Sequence, residues 1–425
     1  MSESIIVVSI VVLLRHIVKT GILGPSVIFS VISLGQMLVF YLAVELTLYP
    51  EIMAGWWQVS TEYKTSTVEV LIVYLYLIFV SYCSSVSIDK AKSEDENLKK
   101  VLYLHFLESK VFFLIIFALF MLCVLHLILI DLDKIISYKV YLSIRNFEFV
   151  GVDSTIFSTL HKLLPLIGLF LAPVFVYHVY KKNWLLLFFS FSVFSYSFLY
   201  SLSLASRFSV LQILVVAVTI YLLDSRRKLL VFFISLLALT VFAGVLSIRF
   251  VNITYQLGFG IPSLLLIYEK HYKVFLDASA FLFFNVFGGG FGTAVNLSEK
   301  GVEYPFLYKI LSFSPFPSFL DGFSQVRDAE VRINEYAPFN NLSEVYHFGL
   351  FYVVVYTLFL SFFLRAYDRF YKAREGVVYF IIMLPAFFGF FVFHNYPIRN
   401  SFRWMVVSFL VVVAINTFGQ KARVK

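Results

Sequence analysis

Six arginines end apolar runs, begin them or stand in the segment that joins them: Arg207, Arg249, Arg327, Arg332, Arg399 and Arg403. A guanidinium keeps its charge at every physiological pH and grips phosphate in a planar, bidentate way. In or beside hydrocarbon such a charge is costly, so each needs a partner. Arg207 lies in Leu204-Ala205-Ser206-Arg207-Phe208, a tight turn between two apolar runs. It can act there as an interfacial anchor or as an anion ligand. Arg249 closes an apolar run, either as a snorkelling helix end or as a second ligand. Arg399 and Arg403 are spaced i, i+4 and share one helical face with no acidic residue close by in sequence, which favours an anionic ligand. Arg327 and Arg332 stand among Asp328, Glu330 and Glu335, where local salt bridging accounts for them.

Proton-transfer groups gather in Phe339-Asn340-Asn341-Leu342-Ser343-Glu344-Val345-Tyr346-His347-Phe348-Gly349. Asn340 or Asn341 suits a helix cap. Asn340, Glu344 and His347 fall on one helical stripe. Glu344 and His347 can work as a proton-transfer pair or as a single oriented base. Glu344 can equally be a first-turn acid that complements the helix dipole. His394, beside Asn395 and Tyr396, reads first as structural, with a base as the rival reading. Glu45 is a further carboxylate with no assigned partner. No His, Cys and carboxylate set has metal-ligand spacing, so neither metal nor other cofactor is expected. Gly288-Gly289-Gly290 has no Lys-Ser/Thr sequel and no preceding strand, which excludes a phosphate-binding P-loop. Cys83 and Cys123 sit in apolar runs and read as small core hydrophobes.

The elements that position these groups are set by composition. Of 425 residues, 60% are hydrophobic and 14% are charged, against about a quarter charged in a globular domain. Lipid must solvate that excess of apolar surface, and an all-α polytopic bundle is the fold class expected. Phe and Tyr, 51 and 27 of them, suit lipid-facing surface and interfacial belts. The net charge of +8 reflects positive-inside topology and not nucleic acid. Met1–Ser4 carries no basic residue and no cleavage site follows the first apolar run, so no signal peptide is expected.

Eleven stretches are read as spans: 5–19, 25–48, 67–87, 111–131, 158–180, 184–203, 207–223, 229–248, 342–364, 377–394 and 401–418. The basic loop 88–110, Lys181-Lys182, Arg226-Arg227-Lys228, Arg365 to Arg374 and the tail from Lys421 then all fall on the cytoplasmic side. The N-terminus lies outside and the C-terminus inside. Residues 1–248 form an N-terminal bundle, 249–341 a large outer loop, and 342–425 a C-terminal bundle. Within the loop, the apolar stretch 278–287 is too short to cross and is expected as an interfacial or re-entrant helix ending in the Gly run.

With its arginines and its Asn-rich helix start at one face, the chain resembles the Wzy-type O-antigen polymerases, which join oligosaccharide repeat units in bacterial envelopes. The carriers of the resemblance are Leu204-Ala205-Ser206-Arg207-Phe208, Leu246-Ser247-Ile248-Arg249, the long outer loop and Asn340-Asn341-Leu342-Ser343-Glu344-Val345-Tyr346-His347-Phe348-Gly349. The last looks like the family's Asn-x-x-x-Glu-x-x-x-x-Gly helix start. The resemblance implies a C-type glycosyltransferase in the bacterial inner membrane. It would act on the periplasmic face on an undecaprenyl-pyrophosphate-linked oligosaccharide, without nucleotide sugar or required metal, alongside a chain-length regulator. Arg207 and Arg249 would match the family's pyrophosphate-holding arginines, and Glu344 its helix-start carboxylate. Many relatives carry a His where Asn340 or Asn341 stands, which leaves His347, Glu344 and His394 as rival bases. An O-antigen ligase, a flippase for lipid-linked oligosaccharide and an assembly partner are the alternatives.

Overall fold

The computed structural model describes residues 2–22, 24–45, 64–86, 109–129, 155–204, 208–255, 261–270, 287–300, 302–316, 318–330, 341–373 and 377–421, with positions 107, 206, 283 and 284. Among them sixteen α-helices follow one another and no strand occurs. The first nine are α1 Ser2–Thr20, α2 Pro25–Glu45, α3 Lys64–Val86, α4 Lys110–Leu129, α5 Thr155–Lys181, α6 Trp184–Ser203, α7 Phe208–Leu223, α8 Lys228–Tyr255 and α9 Ile261–Lys270. Four short helices come next or close by: α10 Gly289–Lys300, α11 Phe306–Leu311, α12 Ser318–Asp321 and α13 Asn341–Phe348. The chain ends on α14 Leu350–Ala373, α15 Val377–Asn395 and α16 Ile398–Lys421.

Among the described residues, seven stretches are long and apolar enough to cross a bilayer: Pro25–Ala43, Ser66–Ser85, Lys110–Ile128, Leu163–Lys181, Trp184–Ser203, Lys228–Val245 and Leu350–Tyr371. Phe208–Leu223 and Tyr379–Asn395 are apolar but shorter. Large apolar side chains such as Leu114, Phe188, Leu229, Phe232 and Phe351 stay exposed on these helices. Only lipid can cover them, and a helix satisfies its own backbone there. The chain is a multi-pass helical membrane protein.

One expectation is corrected. The stretch 342–364 is not one helix: Gly349, at φ +102°, separates α13 from α14. That backbone region suits glycine, which has no Cβ. Ahead of the Gly run the described residues Phe283, Phe284 and Phe287 are helical, Gly288 N–H bonds back to the Phe284 carbonyl at 2.8 Å, and Gly289 then opens α10. A Cβ on Gly288 would come within 3.3 Å of the Phe40 backbone nitrogen, so the run lets α10 start against α2. Most of 278–287 lies outside the described residues.

The helices divide into two compact units, which cut across sequence order. The first comprises Met1–Lys99, Phe283–Glu375 and Ile382–Lys425. In it α3 packs on α1, α2 and α14, and α10 is buried against α2, α3 and α13. Phe291 of α10 meets Phe40 and Tyr74 at ring distances of 5.0 and 4.9 Å. A buried polar stripe runs along α2: Ser26, Ser30, Ser33 and Gln36. Ser26 Oγ is 2.9 Å from His16 Nε2, and its backbone N–H donates to Asp368 Oδ1 at 3.1 Å. Ser81 Oγ donates to the Ser26 carbonyl at 2.7 Å. Gln36 accepts from the Tyr74 hydroxyl at 3.0 Å. Small hydroxyls thus join α1, α2, α3 and α14 where lipid-like interiors offer no hydrophobic drive between helices.

The second unit comprises Lys100–Leu282 and Gly376–Ile381. Here α5 packs on α6 and α7, and α7 on α8. Pro165 and Pro173 interrupt the amide ladder of α5. Neighbours bond to the α5 carbonyls beside the first break: Ser197 Oγ to Leu164 O at 2.5 Å and Gln212 Nε2 to Pro165 O at 2.8 Å. Gly168 makes room for both, because a Cβ there would stand 2.2 Å from Ser197 Oγ and 2.5 Å from Gln212 Nε2. Gly168→Ala should therefore destabilise the fold by about 1–3 kcal/mol through overpacking. Thermal unfolding in detergent, with Gly35→Ala as the reference where a Cβ meets nothing within 4 Å, measures the difference.

Candidate functional site

The residues singled out in α13 are locked into the first unit. Glu344 is fully buried. Its Oε2 accepts the backbone N–H of Ile398 at 2.7 Å, and its Oε1 accepts from the Tyr308 hydroxyl. Ile398 is the first residue of α16, where an N–H has no partner inside its own helix. A carboxylate at that end also complements the helix dipole. Glu344 is thus the acceptor that starts α16, supplied from another element. The Tyr308 phenol is pushed far above its ordinary pKa by burial and then by the Glu344 charge, so it stays a donor. Tyr304 stacks on Tyr308, with ring centroids 5.2 Å apart.

Asn341, also fully buried, is the first residue of α13 and bonds across elements. Its Nδ2 donates to the Tyr396 carbonyl at 2.7 Å. Its Oδ1 accepts from the Tyr356 hydroxyl of α14 and from Ser401 Oγ of α16, the latter at 2.5 Å. One amide thereby ties α13, α14 and the turn into α16 together.

Arg399 and Arg403 hold a different segment. Arg399 donates through Nη1 to Leu311 O at 2.5 Å and through Nη2 to Phe316 O at 2.9 Å. It pairs with Asp321 Oδ2 at 2.5 Å, both side chains being nearly buried. Its guanidinium lies 4.1 Å from the Phe323 ring centroid. Arg403 Nη2 donates to the same Phe316 carbonyl at 2.6 Å. The sequence offers Arg399 no acidic neighbour; the fold supplies one 78 residues away. Leu311 ends α11, so Arg399 also satisfies a helix C-terminus. Lys309 Nζ donates to Phe348 O at 3.2 Å. Residues 302–330 are therefore pinned to α13 and to the start of α16.

His347 is half-buried, and its Nε2 is buried with no hydrogen-bond partner. Such an orphan calls for an explanation. His394 is fully buried, with Nε2 2.8 Å from Ser33 Oγ and Nδ1 2.7 Å from Phe390 O. Both its nitrogens serve the fold, in line with the structural reading. Arg327 is exposed in a short 3-10 turn, Arg327–Ala329. Arg249 lies within α8, and its side chain, like Arg207, Arg332 and Asn340, lies outside the described residues. Among the described residues no group of three His, Cys, Asp or Glu could hold a metal ion.

A second polar cluster was not singled out from sequence. Glu69 of α3 is exposed, and its Oε2 accepts from the Tyr346 hydroxyl at 3.0 Å and from Ser298 Oγ of α10 at 3.3 Å. Tyr346 sits between Glu344 and His347 in sequence, so α13 presents three polar side chains with different surroundings. The signal available was Glu69 itself, an acid inside an apolar run.

Two outcomes follow. Glu344→Ala strands the Ile398 N–H and the Tyr308 hydroxyl, and should cost about 3 kcal/mol or more. Glu344→Gln keeps an acceptor and should cost less, both measured by thermal unfolding in detergent. For Asp321, burial raises the carboxyl pKa, but hydrogen bonds from Ser314 and Arg399, the Phe323 N–H and the Arg399 charge outweigh it and leave it below the ordinary value. The folded form then binds a proton less readily than the unfolded one. Stability from this group is present above about pH 3.9, the ordinary value, and is lost as pH falls through the lowered value. Asp321→Asn should remove that part of the acid sensitivity in melting curves recorded across the range.

Compared with known proteins, the chain matches no family model, no curated protein and no solved structure.

Proposed function

We propose that the protein is a glycosyltransferase of the bacterial inner membrane that polymerises undecaprenyl-pyrophosphate-linked oligosaccharide repeat units on the periplasmic face. The reading places eleven crossings, with the N-terminus outside and the C-terminus inside. The observation that carries it is α13: an eight-residue helix, anchored by Glu344 and Asn341, that carries His347, whose buried Nε2 has no hydrogen-bond partner. A short helix set so firmly and bearing one unspent base suits proton transfer.

In this reading an acceptor sugar hydroxyl attacks the donor's anomeric carbon. The new C–O bond forms as the bond to the pyrophosphate oxygen breaks, and the polyprenyl pyrophosphate leaves with the electron pair. The hydroxyl proton passes to His347. Oxocarbenium character develops at the anomeric carbon, as in glycoside chemistry. Cations must stabilise the departing diphosphate, with no metal required, and by the resemblance Arg207 and Arg249 are the candidates. Glu344, whose oxygens serve Tyr308 and Ile398, positions α13, while Arg399 and Arg403 position the covering segment. No further cofactor takes part.

A transporter of the same lipid-linked units is the second reading. It is favoured by the buried His16, Ser26 and Asp368 cluster inside the helix bundle, since ionisable groups among spanning helices mark ion pathways elsewhere. The two readings separate in vesicles reconstituted with purified protein and the undecaprenyl-pyrophosphate-linked unit. A polymerase gives a ladder of products, and His347→Ala and Arg207→Ala should each lower its rate by about 100-fold or more at unchanged melting temperature. Full-length ladders from both variants would end the assignment. Movement of unpolymerised units across the bilayer, with no ladder from the wild type, would establish the transporter.

A further inference from the structure

The short helix α11 turns its apolar face outward. Tyr308 and, one turn on, Ser312 are buried. Phe306, Leu307 and Ile310 take the other face, and Phe316 and Leu320 follow; these five residues are 48 to 71% exposed. From Phe306 to Leu320, Lys309 is the only charged residue. Large apolar side chains gathered in the open mark an interaction surface. This one runs on into a lipid-facing helix. Phe313 stacks on Tyr352 of α14 with ring centroids 6.3 Å apart, and Tyr352 meets Phe351 at 5.5 Å. Leu350 and Phe351 begin the apolar stretch Leu350–Tyr371 and are themselves exposed. The segment after α11 thus packs against the first turn of a crossing, at the depth where headgroups begin.

Arg403 supplies a charge beside that face. It shares a stripe of α16 with Val407 and Leu410, at i, i+4 and i+7, and both of these are exposed. Its Nη2 donates to the Phe316 carbonyl at 2.6 Å, and its Nε is buried without a hydrogen-bond partner. Arg399 bonds to the same carbonyl and takes Asp321 at 2.5 Å. Two guanidiniums therefore share one carboxylate, which leaves a positive charge over. We propose that Phe306, Leu307, Ile310, Phe316 and Leu320 lie in the bilayer interface, with Arg403 holding the phosphate of a phospholipid. The apolar side chains enter the acyl boundary, as those of in-plane anchors do. The guanidinium at the top of a lipid-facing stripe meets the headgroup, whose phosphate it fits as a fork. Through the Tyr308 bond to Glu344, the anchored segment also fixes the depth of α13. The proposal needs only the bilayer and holds for a polymerase or a transporter alike.

Spin labels on the full-length protein test the apolar face. Phe306→Cys, Ile310→Cys, Leu320→Cys and the lipid reference Phe351→Cys are each made on a Cys83→Ser, Cys123→Ser background. Each is labelled and reconstituted in vesicles of phosphatidylcholine and phosphatidylglycerol in equal parts. Collisions with oxygen, which concentrates in lipid, should exceed those with a water-soluble nickel chelate at the first three sites, as at the reference. Nickel dominating at all three, or protection from both reagents as a second copy would give, overturns the proposal. For the phosphate, native mass spectrometry counts phosphatidylglycerol retained by the protein in detergent as that lipid is titrated in. Arg403→Ala should weaken retention by about tenfold, and Arg403→Lys by less, since an ammonium keeps the charge but not the fork. Arg403→Lys keeps a donor to Phe316 and carries the comparison if the alanine variant does not fold. Unchanged retention in both, or displacement of the lipid by inorganic phosphate at equal concentration, would remove the headgroup from Arg403.

Discussion

A helix that begins inside a membrane bundle exposes backbone N–H groups where no water can serve them, and this protein answers with buried carboxylates sent from other helices. Glu344 of α13 accepts the first N–H of α16, and Asp368 of α14 accepts the N–H of Ser26 near the start of α2. Desolvating a carboxylate costs several kcal/mol, and hydrogen bonds with a favourable dipole offset that cost. Each acid therefore fixes a distance between two elements, because withdrawal would leave both a charge and an amide unsatisfied. The donors of these carboxylates flank Gly349, so the left-handed residue between α13 and α14 sets how both caps are delivered.

Around that constraint the covering segment is assembled with the opposite charge. Arg399 sits one residue after Ile398 and reaches Leu311, Phe316 and Asp321, so the same helix start that receives Glu344 on one side grips residues 302–330 on the other. Tyr308 closes the circuit, since it belongs to that segment and donates to Glu344. Polar side chains at this end of α16 are thus largely spent on one another, with Arg399 Nε and Arg403 Nε left buried without a hydrogen-bond partner. What remains available for chemistry is peripheral to them: the His347 imidazole and the exposed Glu69 carboxylate.

The multi-span helical character was legible because hydrocarbon imposes length and apolarity together, and these survive in composition alone; among the described residues seven of the stretches meet both. The importance of Asn341 and Glu344 was also legible, from residue types that cap helices and transfer protons. Their partners were not. Tyr308, Tyr356, Ser401 and the Ile398 amide lie 15 to 60 residues away in sequence, and no local pattern announces them. Arg399 looked unpaired for the same reason, its acid lying in a loop whose course is tertiary. The break at Gly349 was hidden because apolar residues continue on both sides, and only backbone torsion distinguishes a kinked pair from one crossing. Glu69 escaped notice because an acid near the end of an apolar run reads as a helix-end charge until its neighbours on α10 and α13 are known.

The serines of α2 carry a consequence for how the chain is made. Ser30 Oγ donates to the Ser26 carbonyl and Ser33 Oγ to the Phe29 carbonyl, both at 3.0 Å, so each hydroxyl already has an acceptor on its own helix. Such back-bonding needs no second helix. A newly synthesised α2 can thus enter lipid with these hydroxyl hydrogens concealed, and Ser33 can turn its hydrogen to His394 Nε2 only when α15 arrives, since His394 Nδ1 donates to the Phe390 carbonyl. Polarity that would oppose insertion is deferred until assembly can use it.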